Sequence, residues 1–261
     1  MDPQQRAIME CTYHALENAG LRLQDVAGTR TSVHIGCFTS DFATMQFRDT
    51  QEIPKYNSLG TAGSMLANRI SWFFDLHGES IGEGFAVLIL KKLSRAIADG
   101  DPIRALIRSV GTNQDGRTSG GITQPSKNMQ VQLIHETYRK AGLDMKHTRF
   151  FEAHGTGTPM GDPIEARAIG EAFFNYRSPE DPIYVGAVKS NVGHLEGASG
   201  LAGVVKTILA LEKGIIPPNA NFESLNPQID ADFFNLRFPV EHVAWPASAE
   251  GIRRASVNSF G

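Results

Sequence analysis

Twice in its second half the chain runs from a short apolar stretch, through a turn that carries glycine, into a helix-forming stretch, and each turn carries a histidine. In the first unit Arg149-Phe150-Phe151-Glu152-Ala153 reads as a strand. The loop His154-Gly155-Thr156-Gly157-Thr158-Pro159 follows, and Asp162-Pro163-Ile164-Glu165 opens a helix. In the second, residues 183–188 read as a strand and residues 189–193 as a loop beginning with Lys189. His194 then precedes a helix rich in small residues, which runs to about Lys213 and is stopped by Gly214 and Pro217-Pro218. Strands alternating with helices imply an α/β layered fold with a largely buried sheet. In such sheets ligands bind outside the carboxyl ends of the strands, where His154 and Lys189 stand.

The first half is read in the same way. Asp2-Pro3-Gln4-Gln5 is a helix start of the capping-box kind, with Asp at the cap and Pro at the first helical position, and the helix runs to about Ala19 before Gly20. Residues 32–36 read as a short strand. Residues 62–74 read as a helix with Met65, Leu66, Ile70 and Phe73 on one face. Residues 75–84 are a polar, glycine-rich break, and the apolar run 85–90 reads as a strand buried on both faces. A helical turn over 94–99, an alternating strand over 103–110, a polar loop over 113–126 and a helix over 127–141 capped by Gly142 complete the pattern.

Two histidines and a lysine at strand ends can polarise a carbonyl or stabilise an enolate; the plain alternative is that each is a surface or hydrogen-bonded structural residue. The loop 155–161 lacks the spacing of a dinucleotide turn, and Pro159 removes one amide donor. His154, Asp162 and His194 lack the short spacing of zinc motifs, so no metal site is expected. Only two cysteines occur. Cys11, in mid-helix, reads as a small core residue, and Cys37, between Gly36 and Phe38, has no activating charge nearby. A net charge of -3 gives no basic face for nucleic acid. The absence of a signal pattern, of a disulfide framework and of any apolar run near ~20 residues is read as a cytoplasmic protein with no membrane segment.

Glu152-Ala153-His154-Gly155-Thr156-Gly157-Thr158, with Gly161-Asp162-Pro163-Ile164-Glu165, resembles the first histidine motif of polyketide ketosynthases. Val188-Lys189-Ser190-Asn191-Val192-Gly193-His194-Leu195-Glu196 resembles their lysine and second histidine motif. Residues 1–6, 15–20, 67–76 and 113–116 and Pro217-Pro218-Asn219 add to the resemblance, whose style is that of fungal reducing synthases. The resemblance implies a thiolase-like layered αβαβα fold, normally a homodimer, that catalyses decarboxylative Claisen condensation. It implies His154 and His194 as the catalytic histidines, Lys189 as the supporting lysine, and Thr156 and Thr158 facing a phosphopantetheine arm. That arm is presented, with its acyl or malonyl thioester, by a partner acyl carrier protein; the domain itself binds no cofactor.

The chain departs from that pattern. The family carries a D-T-A-C-S-S motif between the segment like Phe73-Phe74-Asp75-Leu76 and the glycine-rich strand; here His77-Gly78-Glu79-Ser80 runs straight into Ile81-Gly82-Glu83-Gly84. The nucleophile is therefore expected to be absent, together with its helix and a neighbouring strand. The family also extends before Met1 and beyond Gly261. The expectation is an incomplete fold, with residues 1–100 the remnant of the amino-terminal half and residues 101–261 the carboxyl-terminal half. Lost strands would leave edges and apolar faces exposed, so residues 1–100 are expected to be poorly soluble or partly disordered. Three functional readings follow: an intact condensing enzyme of which this sequence is a damaged transcript or faulty gene model, a residual malonyl-thioester decarboxylase, and a non-catalytic relative that binds an intact synthase.

Overall fold

The structure, a computed structural model, describes residues 1–37, 40–48, 55–77, 80–83, 87–115, 118, 124–195, 198–247 and 251–260, with the backbone alone at residues 58, 64 and 80–83. Contacts divide the chain into two units: residues 1–103 with 196–201 and 261, and residues 104–195 with 202–260. No helix among the described residues is long and apolar enough to cross a membrane.

In the first unit α1 (Pro3–Asn18) starts on the Asp2 carboxylate, which accepts from the Gln4 amide at 2.8 Å. Gln5 does not close a capping box. It is buried, so it is satisfied by what it meets inside: its amide donates to the Leu59 carbonyl at 3.2 Å and accepts from Arg69 Nε at 2.8 Å. There follow α2 (Leu23–Val26), β1 (Val33–Gly36), α3 (Asp41–Gln46), α4 (Asn57–Thr61), α5 (Ser64–Phe73), β2 (Ser80–Glu83) and α6 (Leu93–Asp99). β1 and β2 pair in parallel, Val33 opposite Ser80 and Gly36 opposite Glu83. Ile8, Leu16, Ile35, Leu66, Ala67, Ile70 and Phe74 form the core.

Several expectations for this unit are corrected. Phe73 is 54% exposed and Phe74 takes the inner position, because α5 ends at Phe73 and the chain tucks the next ring inward. Cys11 is exposed; the inner stripe of α1 is Gln5, Ile8, Thr12 and Leu16. Of the strand expected over 85–90, residues 85 and 86 lie outside the described residues, and 87–90 form no strand. The strand in this stretch is β2, inside the run read as a polar break. A strand exists only where its backbone finds a ladder partner, and 80–83 is the stretch that reaches β1.

The second unit is built on a four-stranded parallel sheet. Its elements are α7 (Lys127–Ala141), a 3₁₀ turn (Met145–His147), β3 (Phe150–Glu152), α8 (Gly161–Phe173), β4 (Ile183–Gly186), α9 (Lys189–Val192) and α10 (Ser199–Lys213, in this unit from Ala202). β5 (Ile215–Ile216), β6 (Leu236–Arg237), β7 (Val243–Ala244) and β8 (Ala255–Val257) complete it. Strand order is β6-β4-β3-β8, with Phe151 opposite Val185 on one side and Ser256 on the other. β5 and β7 form a separate antiparallel pair. The two phenylalanines of β3 point to opposite faces, as a pleated strand requires. Phe151 packs with Ile134 and Tyr138 of α7, Ile169 and Phe173 of α8, and Leu236. Phe150 packs with Ala210 of α10, Ile216 and Trp245. Both faces of the sheet are thus covered, the condition under which parallel strands survive.

α7 matches its expected range, with the Ser126 hydroxyl accepting from the Met129 amide and Gly142 at φ +62° ending it. Residues 103–110 form no strand, and Leu106, Ile107 and Val110 are exposed. The described part of the polar loop 113–126 contains no helix or strand. The stretch read as a loop over 189–193 contains the single helical turn α9, closed by the Gly193 amide donating to the Lys189 carbonyl at 2.9 Å.

Candidate active site

Three neighbouring parallel strands deliver three stretches to the same sheet edge. β3 leads in two residues to His154, β4 leads through α9 to His194, and β8 leads in three residues to Phe260. Close approach of the first two depends on Gly155. It sits at φ +45°, and a Cβ there would lie 2.5 Å from the Cβ of Ala187, so only glycine allows the turns after β3 and β4 to meet. The His154 and His194 rings stand edge to face with centroids 5.3 Å apart, and the Phe260 ring is 5.1 Å from His154. His154 is half-buried, His194 exposed and Lys189 buried.

The protonation of His154 follows from one bond. The Phe260 amide donates to His154 Nδ1 at 3.1 Å. That nitrogen is an acceptor, so the neutral ring carries its proton on Nε2. Burial, with Lys189 and His194 adding positive charge, holds the His154 pKa down to about 4, so the ring is neutral at pH 7. Burial also pushes the Lys189 ammonium below its usual range, against the pull of Glu165, Glu152 and Asp162.

The supporting shell is carboxylate. Glu165 of α8 is buried and accepts from the His154 amide at 2.8 Å, the Gly155 amide at 2.9 Å and the Asn258 side chain at 3.3 Å. Burial raises its pKa despite those donors. The sequence reads Asp162 as a cap like Asp2. Instead α8 starts at Gly161, and the Asp162 carboxylate turns back to accept from the Gly157 amide at 3.1 and 3.2 Å and the Thr158 amide at 3.2 Å. The reason is local: the glycine turn presents unpaired amides to the first turn of the helix. Among the described residues no three His, Cys, Asp or Glu side chains gather as a metal site needs.

Thr156 is half-buried and Thr158 exposed; the Thr156 hydroxyl is 3.5 Å from that of Thr158, which accepts from the Gly161 amide at 3.1 Å. Cys37 lies in the first unit, buried, with its Sγ 2.9 Å from Gln4 Oε1. Four contributors escape a reading by residue type: Glu165, Glu152, Asn219 and Asn258. Asn219 fixes the end of β4, accepting from the Ala187 amide at 2.9 Å and donating to the Val185 carbonyl at 3.1 Å. A charged residue closing the apolar run Phe150-Phe151, and another on the buried stripe Ala166-Ile169 of a helix, were the available signals for the two glutamates.

Comparison with known proteins bears on what this arrangement is. The model of the beta-ketoacyl synthase N-terminal domain matches residues 1–82, and that of the beta-ketoacyl synthase C-terminal domain matches residues 104–223. Reducing polyketide synthase pksF of Alternaria solani is 47% identical over 331 residues, covering 100% of this chain and 14% of that protein. Highly reducing polyketide synthase Preu1 of Preussia isomera is 42% identical over 330 residues, with the same two shares. The chain therefore spans about a seventh of these relatives. Among solved structures, the ketosynthase from module 6 of the bacillaene synthase from Bacillus subtilis 168 is 26% identical with a TM-score of 0.87, covering 100% of this chain and 57% of that one.

Proposed function

Since the chain belongs to the beta-ketoacyl synthase family and has its thiolase-like α/β fold, we propose that it carries the decarboxylating half of a polyketide-type condensing site, with His154, His194 and Lys189 as its working residues. The observation that carries this reading is the pairing of the two histidines with the proton of neutral His154 on Nε2. Nε2–H of His154 and the His194 ring donate to the carbonyl oxygen of a malonyl thioester, and the buried cation of Lys189 adds to the field. The bond from the α-carbon to the carboxylate then breaks. Carbon dioxide leaves, the electron pair becomes an enolate held by those donors, and a proton from water gives acetyl thioester. The thioester arrives on the phosphopantetheine arm of an acyl carrier protein. The hydroxyls of Thr156 and Thr158 offer that amide-bearing arm hydrogen-bonding partners at the turn.

Condensation needs a thiol to hold the acyl chain. Cys11, exposed on α1, and Cys37, hydrogen-bonded to Gln4, both belong to the first unit, whereas His154, Lys189 and His194 belong to the second. The match to the Alternaria solani synthase runs over 331 residues, 70 more than the 261 of this chain, and this supports the loss of an internal segment. On this reading the chain decarboxylates and does not condense, works in the cytoplasm, and pairs as a homodimer or with an intact synthase subunit.

The test is release of carbon dioxide from malonyl-loaded carrier protein. His154→Ala and His194→Ala are each expected to slow it about 100-fold. Folded protein with no release, or release that survives both substitutions, overturns the reading. Sequencing the native transcript across the codons for residues 78–84 decides whether a cysteine-bearing segment is encoded there.

A further inference from the structure

Glu152 and Lys206 form a buried charge pair that neither the histidine chemistry nor the sheet explains. Glu152 ends β3 and is 1% exposed. Its Oε2 lies 2.7 Å from Lys206 Nζ on α10. Both charged atoms are buried, and Lys206 Nζ also stands 5.6 Å from the centre of the Phe150 ring. Two glycines hold the space open. A Cβ on Gly186 would lie 2.8 Å from the Phe150 ring and 2.9 Å from Lys206 Nζ, and one on Gly203 would lie 3.3 Å from Glu152 Cγ. Buried ion pairs are weak sources of stability and are often replaced by apolar residues without loss. A pair enclosed in this way calls for another reason.

The reason lies in what else Glu152 holds. Its Oε1 accepts from the Val188 amide at 2.5 Å, and Val188 is the residue before Lys189. Its backbone carbonyl accepts from the Asn258 amide at 2.9 Å, two residues before Phe260. The next residue, Ala153, donates its amide to the Gly186 carbonyl at 2.7 Å and leads directly to His154. One residue thus touches the roots of all three turns that carry His154, Lys189 with His194, and Phe260.

We propose that Glu152 is the positioning residue of the site, its carboxylate fixing the Lys189 turn against His154 while Lys206 keeps that carboxylate charged and oriented. The proposal rests on reading His154, Lys189 and His194 as one site, and its test does not use turnover, so the two can fail separately.

The test compares two neutral double variants of the full chain that differ only in the acceptor. Glu152→Gln with Lys206→Met keeps an oxygen for the Val188 amide; Glu152→Met with Lys206→Met does not. The readout is the titration of His154 by NMR. Its ring faces Lys189 and His194, its own amide is held by Glu165, and Asp162 lies on the same helix as Glu165. With the acceptor kept, the midpoint is expected to stay near the wild-type value. Without it, the Lys189 turn is released and the midpoint rises by about one unit or more towards 6.5, the value of an unperturbed histidine. Equal midpoints in the two variants overturn the proposal. Should the acceptor-free variant not fold, hydrogen exchange of the wild-type Val188 amide decides. Protection of about 100-fold or more over the free-chain rate supports the bond, and exchange at the free-chain rate overturns it.

Discussion

In residues 104–260 each of the two central strands, β3 and β4, has a partner on both sides, whereas β1 and β2 in residues 1–103 pair, among the described residues, with each other alone. The consequence is visible in the aromatic residues. Phe150, Phe151 and Phe173 are fully buried in the second unit, while Trp72 is 81% and Phe73 54% exposed in the first. A helix can bury its ring only against a face that exists. Where the sheet is four strands wide, α7 and α8 cover one side and α10 the other. The comparison teaches that the histidine site stands on the better-supported half. Its geometry depends on strands that have their neighbours.

The sharpest test of that contrast is a cavity. Phe173→Ala removes a ring in edge contact with Tyr138 and Phe151, at 0% exposure, and is expected to cost about 3–5 kcal/mol in urea or thermal unfolding. A cost below ~1 kcal/mol would mean that the second unit is loosely packed and that the contrast with the first is false.

Buried polar knots should matter in both units, which sharpens the comparison by showing where the first is well made. Asn219→Ala leaves the Ala187 amide and the Val185 carbonyl without their partner, and Gln5→Ala leaves Arg69 Nε without its acceptor, with Arg69 Nη2 still donating to the Leu59 carbonyl at 2.9 Å. Each is expected to cost about 1–3 kcal/mol. Only Asn219→Ala should also move the His154 titration, because only Asn219 fixes the strand end that leads to Lys189. A shift in both would tie the first unit to the site.

These residues also mark what the sequence made legible. The helix start at Asp2, the stop at Gly142 and the two strand–turn–helix units are local matters of capping and periodicity, and they were readable. Residues 103–110 alternate like a strand and are not one, because alternation records what a stretch could pair with, and pairing depends on distant chain. Phe73 and Phe74 exchanged places for a similar reason: the last turn of a helix is set by its cap, which periodicity does not contain. Glu152 and Asn258 act through Val188 and Glu165, partners 36 and 93 residues away in sequence. Their roles appear only once the strand order is known. That the turns after two strands each carry a histidine was legible because strand, turn and helix follow one another locally in the chain.

The acid response should separate the units further. The pKa of His154, about 4 in the folded chain, lies below the 6.5 of the free side chain. Between those values the unfolded chain binds a proton that the folded one refuses. The contribution of neutral His154 is therefore fully present above pH 6.5 and is lost as pH falls towards 4. Glu152, Glu165 and Asp162, all with raised pKa values, titrate in the opposite sense over acid pH. The expected signature is therefore a difference: His154→Gln flattens the decline between pH 6.5 and 4 relative to the wild type. Identical profiles would mean that His154 is not held neutral.

The smallest effect tests the exposed side of the contrast. Trp72 on α5 is 81% exposed, while Ala67, Ile70 and Phe74 hold that helix to its core. Trp72→Gln removes no buried contact and is expected to change unfolding free energy by less than ~0.5 kcal/mol, while lowering any self-association seen by analytical ultracentrifugation. If the substitution instead costs as much as Phe173→Ala, something covers Trp72 in solution, and the first unit is completed by a partner rather than left open. If it costs nothing and association persists, the exposed aromatic residue of α5 is not the contact, and the uncovered apolar residues of 103–110 become the surface to change next.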